Sequence, residues 1–101
     1  MMMHFLLIYQ LAGDYLERRG EFREEHLRLA WAEVEKGTLM LGGALETPVD
    51  QAMLLFHDQG AAHRFVEVDP YVKNGLVTSW SIRRWNTVVG TLAATPVRPE
   101  D

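Results

Sequence analysis

The side chain most suited to chemistry in this sequence is His26, which lies on the apolar face of a predicted helix. Phe22 and Ala30 are one turn away on either side, so the imidazole is expected to face a sheet and not the solvent. A partly buried imidazole beside a carboxylate can act as a general base or a general acid. Asp69 is a carboxylate that could hold such a ring in one tautomer. Arg23, one turn before His26, could hold an anionic group of a substrate.

These residues also have ordinary structural explanations. A histidine on an apolar helix face is often a core residue whose ring is satisfied by one or two hydrogen bonds. Asp69 precedes Pro70, which is the pattern of a helix N-cap followed by the first helical position. The two roles of the aspartate are compatible, because a carboxylate accepts hydrogen bonds from several donors. Trp80 and Trp85 are interpreted as core or dimer packing, and Glu33 as a residue at the rim of the apolar face.

Composition argues against several other classes of site. The chain has no cysteine, which excludes disulfides and thiolate chemistry and agrees with the reducing cytoplasm, where we expect the protein. No pair of its four histidines has the i, i+3 or i, i+4 spacing of helical metal ligands, so neither a metal nor another cofactor is expected. The net charge of −4 and the dispersed basic residues argue against nucleic-acid binding. Neither a membrane-spanning run nor a signal peptide is evident.

The 101 residues are predicted to form a single domain, 1–101, with a flexible tail at about 91–101. Hydrophobic periodicity and turn residues predict a series of elements that places the candidate residues. In order, these are a strand at 4–11, a loop at 15–20, a helix at 21–36, a strand at 38–45, a hairpin turn at 46–50, a strand at 52–57, a second helix after 60, a short turn at 69–75 and a strand at 76–85.

This order is that of the ferredoxin-like fold, an α+β arrangement (βαββαβ) whose four-stranded antiparallel sheet carries both helices on one face. On the last strand, alternation predicts that Trp80 and Ile82 point to one face while Val77 and Trp85 point to the other. The face without helices is therefore too apolar to be left in water. Two copies packed through these sheet faces would bury it, which predicts a homodimer.

Several short patterns, taken together in their order and spacing, resemble those of the YCII-related proteins. They are Arg23-x-x-His26-Leu27, Gly42, Asp69-Pro70-Tyr71, Gly75-Leu76 and Arg84-Trp85-Asn86 followed by Val88-Val89-Gly90. The resemblance extends from the first strand to about Gly90. It implies a dimeric α+β barrel of ferredoxin-like subunits and an active site centred on a His–Asp pair, here His26 and Asp69. The sequence has Gly42-Gly43-Ala44 where many members have Gly-Pro, which leaves the shape of the pocket wall open.

Two functions are compatible with these features. The first is a small cofactor-free enzyme of lyase or isomerase type that acts on a small organic molecule. In it, His26 transfers a proton, Asp69 orients the ring, and the pocket is lined by Arg23, Tyr71 and Ser81. A related protein is a dehydrochlorinase of a chlorinated hydroxyquinol, which favours proton transfer on small aromatic or enolic compounds. The second is a non-catalytic dimer module that binds a small ligand, with the same residues serving as core and cap. A cofactor-free oxygenase has less support.

Overall fold

The predicted strand and helix order is present in the structure, a computed structural model that describes residues 3–99. The elements are β1 (Phe5–Leu11), α1 (Tyr15–Glu35), β2 (Leu39–Ala44), β3 (Gln51–Phe56), α2 (Gln59–Val68), α3 (Pro70–Lys73) and β4 (Val77–Arg84). The strands form one antiparallel sheet in the order β2-β3-β1-β4. The α+β, ferredoxin-like fold class is thus confirmed. Residues 1, 2, 100 and 101, which include the end of the predicted tail, lie outside the described part.

The sheet has two faces with different surroundings. The side that packs against α1 and α2 is called the helix face here, and the opposite side the far face. The core lies on the helix face and includes the buried strand residues Leu7, Tyr9, Leu54 and Phe56. These side chains pack with buried helix residues such as Phe65 of α2. Because side chains alternate along a strand, the neighbours of these strand residues, such as Ile8 and Leu55, point to the far face.

Helix α1 begins at Tyr15 and not at Glu21, so the prediction of a loop over residues 15–20 was wrong. Gly20 weakens a helix by about 1 kcal/mol relative to alanine, and it obscured the pattern in the sequence. Tertiary contacts offset that cost. Tyr15 is buried, and its ring meets the edge of the Tyr71 ring at a centroid distance of 5.6 Å. The helix ends where Gly37 adopts a left-handed conformation with φ of 82°, as the sequence predicts.

A bulge in β4 corrects the predicted direction of one side chain. The pairing with β1 passes from Gln10–Ser79 to Leu11–Val77, so Thr78 is an extra residue in β4. Val77 therefore lies on the same face as Leu11 and is buried in the core. The sequence had placed it on the opposite face, because simple alternation does not include a bulge.

The chain after β4 turns back against the far face. The amide of Trp85 donates to the carbonyl of His4 over 2.9 Å. The ring of His4 is buried, and its Nδ1 lies 2.7 Å from the Thr87 hydroxyl. Further along, the amides of Thr95 and Val97 donate to the carbonyls of Thr87 and Val88. Backbone hydrogen bonds thus continue to Val97, although the sequence predicts a flexible tail from residue 91. Within residues 3–99, no helix combines the length and apolar character needed to cross a membrane.

Candidate active site

Asp69 is the most deeply buried polar residue of the site, with an exposed fraction of 0%. It links α2 to α3, and its side chain caps α3 by accepting from the amide of Tyr71 at 3.0 Å. The same oxygen, Oδ1, lies 2.7 Å from Nδ1 of His26. The other oxygen, Oδ2, accepts from the Tyr9 hydroxyl at 2.8 Å. Three donors from three parts of the chain therefore stabilise one buried carboxylate, and the cap and the contact with His26 coexist.

His26 is held by Asp69 on one side and by aromatic rings on two others. The Tyr71 ring stacks on the imidazole with centroids 3.8 Å apart and planes tilted by 10°. The Phe65 ring meets it edge-on at 5.9 Å. A carboxylate can only accept, so the proton of the His26–Asp69 hydrogen bond belongs to Nδ1. This leaves Nε2, which has no hydrogen-bond partner among the described residues, on a side chain that is 14% exposed.

Tyr9 and Tyr71 are both held in the protonated form at neutral pH. Burial raises the pKa of Tyr9 far above its ordinary value, and the negative charge of Asp69 and the hydrogen bond to it act in the same direction. Burial raises the pKa of Tyr71 to about 12, helped by Tyr15 and Asp69 and opposed by two nearby arginines. The buried Tyr71 hydroxyl has no hydrogen-bond partner among residues 3–99. Tyr71 thus serves the site through its ring and its backbone amide.

The raised tyrosine pKa values predict a loss of stability in alkali. In the unfolded chain these phenols ionise near pH 10, whereas in the folded chain they stay protonated. The contribution of the protonated phenols to the free energy of unfolding is therefore complete below pH 10. For Tyr71, this contribution is lost as pH rises through about 12. In urea denaturation of Tyr71→Phe, the free energy of unfolding should fall less steeply between these pH values than in the wild type. At pH 7 the variant should be at least as stable, because it lacks an unpaired buried hydroxyl. Identical slopes would contradict the assignment.

A cavity of about 380 Å³ opens beside His26, between α1 and the helix face of β1, β2 and β3. Its lining comprises polar or aromatic side chains, aliphatic side chains and part of β2. The lining includes Tyr9, Tyr15, Arg19, Arg23, His26, Leu27, Ala30, Val34, Gly42, Leu54 and Tyr71. Asp69 lies behind His26 and is not part of the lining. This volume is within the usual range for sites that bind small organic molecules.

The structure brings together four of the five residues proposed from the sequence. His26, Arg23 and Tyr71 line the cavity, and Asp69 contacts two of them. Ser81 is not part of this site. It pairs with Ile8, next to Tyr9 on β1, and alternation therefore directs it to the far face. Sequence reasoning placed Ser81 near the site without the strand register that decides its direction.

Two residues of the site were missed in the sequence. Tyr9 is a phenol within an apolar strand, and its alternation with Leu7 was the available signal that it faces the core. Arg19 was missed because its segment was predicted to be a loop. Once α1 is extended to Tyr15, Arg19 and Arg23 are four residues apart and lie on one helix face.

The other residues considered in the sequence lie away from the cavity. Glu33 accepts hydrogen bonds from the Thr38 hydroxyl at 2.8 Å and from Lys36 at 3.1 Å, so it links the end of α1 to the following turn. His63 is exposed, with its ring 6.0 Å from that of Trp80. Neither contact involves His26.

Gly42 shapes the sheet wall of the cavity, and the neighbouring glycine provides a matched control. A Cβ at Gly42 would lie 3.0 Å from Cγ of the buried Leu54, whereas a Cβ at Gly43 would meet no atom within 4 Å. We expect Gly42→Ala to lower the free energy of unfolding by about 1 to 3 kcal/mol, because it overpacks this wall. Gly43→Ala should change it by no more than about 0.5 kcal/mol. Thermal or urea unfolding checks both, and equal effects would show that the contact with Leu54 is not limiting.

Comparison with known protein families matches residues 2–86 to the YCII-related domain. The chain belongs to the YCII-related family. No protein of curated function matches it. Among solved structures, this YCII-related chain is similar to 5-chloro-2-hydroxyhydroquinone dehydrochlorinase from Burkholderia phenoliruptrix AC1100, determined in complex with 2,5-dihydroxybenzoquinone. The two share 23% sequence identity over 84% of this chain and 95% of the dehydrochlorinase chain, with a TM-score of 0.66. At this identity the similarity establishes a common fold.

Proposed function

We propose that this protein is a small enzyme that moves a proton on a small organic molecule, with His26 as the transferring group and Asp69 as the orienting group. The observation that carries the proposal is the 2.7 Å contact between His26 Nδ1 and Asp69 Oδ1, beside a cavity lined by the same imidazole. With Nδ1 occupied by the carboxylate, Nε2 is the nitrogen left to exchange a proton with a ligand. Protein side chains can perform this step without a cofactor.

The proposed step is balanced within the dyad and the substrate. Nε2 of His26 accepts a proton from an acidic C–H or O–H bond of the bound molecule, and the bonding electron pair stays on the substrate. For a C–H next to a carbonyl, that pair delocalises to give an enolate. Asp69 stabilises the resulting imidazolium through Nδ1–H. Return of the proton from Nε2 to another atom of the substrate completes an isomerisation. In an elimination, the pair from the C–H bond forms a new double bond, the leaving group departs with the electron pair of its own bond to carbon, and the imidazolium then releases its proton to solvent.

The family context supports this chemistry. The similar protein from Burkholderia phenoliruptrix is named as a dehydrochlorinase, and loss of hydrogen chloride from an organic molecule requires transfer of a proton. The same name directs the search for substrates toward small cyclic compounds with ionisable hydrogens.

Hydrogen–deuterium exchange tests the proposal whatever product the reaction forms. The protein is incubated in D₂O with a panel of small ketones, phenols and hydroxyquinones, and deuterium at carbon is followed by NMR. We expect exchange above the buffer rate for at least one compound. Binding of panel members without any exchange would instead support the second function, a non-catalytic module that binds a small ligand.

We also propose that two copies associate through their far faces. This face carries the half-buried pair Ile8 and Met53 and has no helix over it, and Leu41 at its edge is 63% exposed. Analytical ultracentrifugation should show a dimer for the wild type and a monomer for Ile8→Lys, because the substitution would bury an unpaired charge. Leu16→Lys, at an exposed leucine of α1, is the control that should remain a dimer. A monomeric wild type would refute the proposal.

A further inference from the structure

The charges around the cavity are of one sign. Its lining includes two permanently charged side chains, Arg19 and Arg23, and no carboxylate, although the whole chain has a net charge of −4. Neither arginine forms a salt bridge within residues 3–99. The guanidinium of Arg19 instead lies 5.7 Å from the centre of the Tyr15 ring. Asp69 lies behind His26 and already accepts three hydrogen bonds. Two guanidinium groups are therefore available to a ligand.

The walls of the cavity are largely apolar and favour a ligand with an apolar body. One wall is the α1 surface formed by Leu27, Ala30 and Val34, and the other is the sheet surface at Gly42 and Leu54. Leu54 packs over Gly42, because a Cβ at Gly42 would lie 3.0 Å from Cγ of Leu54. This part of the wall is therefore an aliphatic surface.

The arginines and the imidazole follow one another along one stripe of α1. Arg19, Arg23 and His26 are separated by four and three residues, which places them on the same helix face. The rise of an α-helix puts Arg23 and His26 about 4.5 Å apart along the axis. A negative group held by the guanidinium groups would thus place the next atoms of a ring beside His26.

We propose that the cavity selects small organic anions with an apolar body, such as ring carboxylates, and that Arg19 and Arg23 bind the negative group. Arginine suits this task because its planar donors match a carboxylate and its charge persists at all relevant pH values. If the proposed function holds, this assigns the substrate class of that same site.

Benzoate and benzamide provide the test, because they share a shape and differ in charge. The affinities of both probes are measured by isothermal titration calorimetry at pH 7 and low salt, on the wild type and on His26→Gln. The variant is included because it lacks the imidazole that would transfer a proton. We expect benzoate to bind roughly ten- to a hundredfold more tightly than benzamide, the effect of one charge-assisted hydrogen bond. The preference should shrink as salt is added. Equal affinities, or no binding of either probe at millimolar concentration, would overturn the proposal.

Substitutions on α1 assign the effect to particular side chains. Arg19→Gln and Arg23→Gln should each reduce the preference for benzoate by roughly tenfold or more while leaving benzamide unaffected. Arg28→Gln is the matched control, because Arg28 lies on the same helix, outside the cavity, and pairs with Glu24. If all three variants behave alike, the preference does not arise from the cavity and the proposal fails.

The two proposals can fail separately. A preference for benzoate with no deuterium exchange on any compound would leave the anion site intact and refute the proton-transfer enzyme. Exchange on neutral compounds, with no preference for anions, would leave the enzyme intact and refute the anion site.

Discussion

Replacement of His26 by glutamine is expected to lower the rate of deuterium exchange by about two to four orders of magnitude, the usual contribution of a positioned general base. Glutamine can still form a hydrogen bond to Asp69, but its amide does not accept a proton near neutral pH. The fold should be retained, because the side chain is only partly enclosed and lies at the wall of a cavity. Deuterium-exchange rates are measured by NMR on a compound whose exchange the wild type accelerates. A urea denaturation curve is recorded for both proteins.

His63→Gln is the control for this substitution. His63 is exposed on α2 and forms no hydrogen bond or salt bridge with a carboxylate of the described chain. The deuterium-exchange rate with His63→Gln should equal the rate with the wild type. If His26→Gln retains the full rate, the imidazole is not the transferring group, and the dyad is then a structural feature of the α1–α3 contact.

Asp69→Asn is expected to have the largest effect on stability. The carboxylate accepts from three donors in a site with no exposure. An amide nitrogen in place of one oxygen would face either the Tyr9 hydroxyl or His26 Nδ1–H, leaving buried donors without an acceptor. We expect a loss of about 2 to 4 kcal/mol in the free energy of unfolding, because the substitution removes a charged acceptor and leaves a buried donor without a partner. That is a large share of the roughly 5 to 15 kcal/mol typical of a domain.

The chain offers a second capping aspartate as a reference. Asp58 caps α2 by accepting from the amide of Gly60 at 3.2 Å, but its side chain is 55% exposed. Asp58→Asn should cost at most about 1 kcal/mol, since asparagine is also a good N-cap. Urea denaturation at pH 7 compares the two variants. Equal costs would mean that Asp69 acts as a cap alone and that its contacts with His26 and Tyr9 add no stability.

Local sequence patterns were sufficient to predict the fold class and the positions of His26 and Asp69 within it. Apolar residues recur with helical spacing around His26, and this local pattern was enough to place the imidazole on the inner face of α1. Asp69 before Pro70 identified the cap of α3 for an equally local reason, the preferred backbone geometry of the pair. Signals of this kind depend on neighbours within one or two turns, so they can be recognised before the chain is folded.

Contacts between side chains that are distant in the chain could not be predicted in this way. Tyr9 donates to Asp69 across 60 positions of sequence, and no local pattern encodes that contact. The directions of Val77 and Ser81 depend on strand register and on the bulge at Thr78, because a shift of one residue moves a side chain to the other face. The first turns of α1, with Arg19, pack against α3 through the contact between the Tyr15 and Tyr71 rings. Arg19 therefore joined Arg23 as a candidate anion-binding residue only in the folded chain.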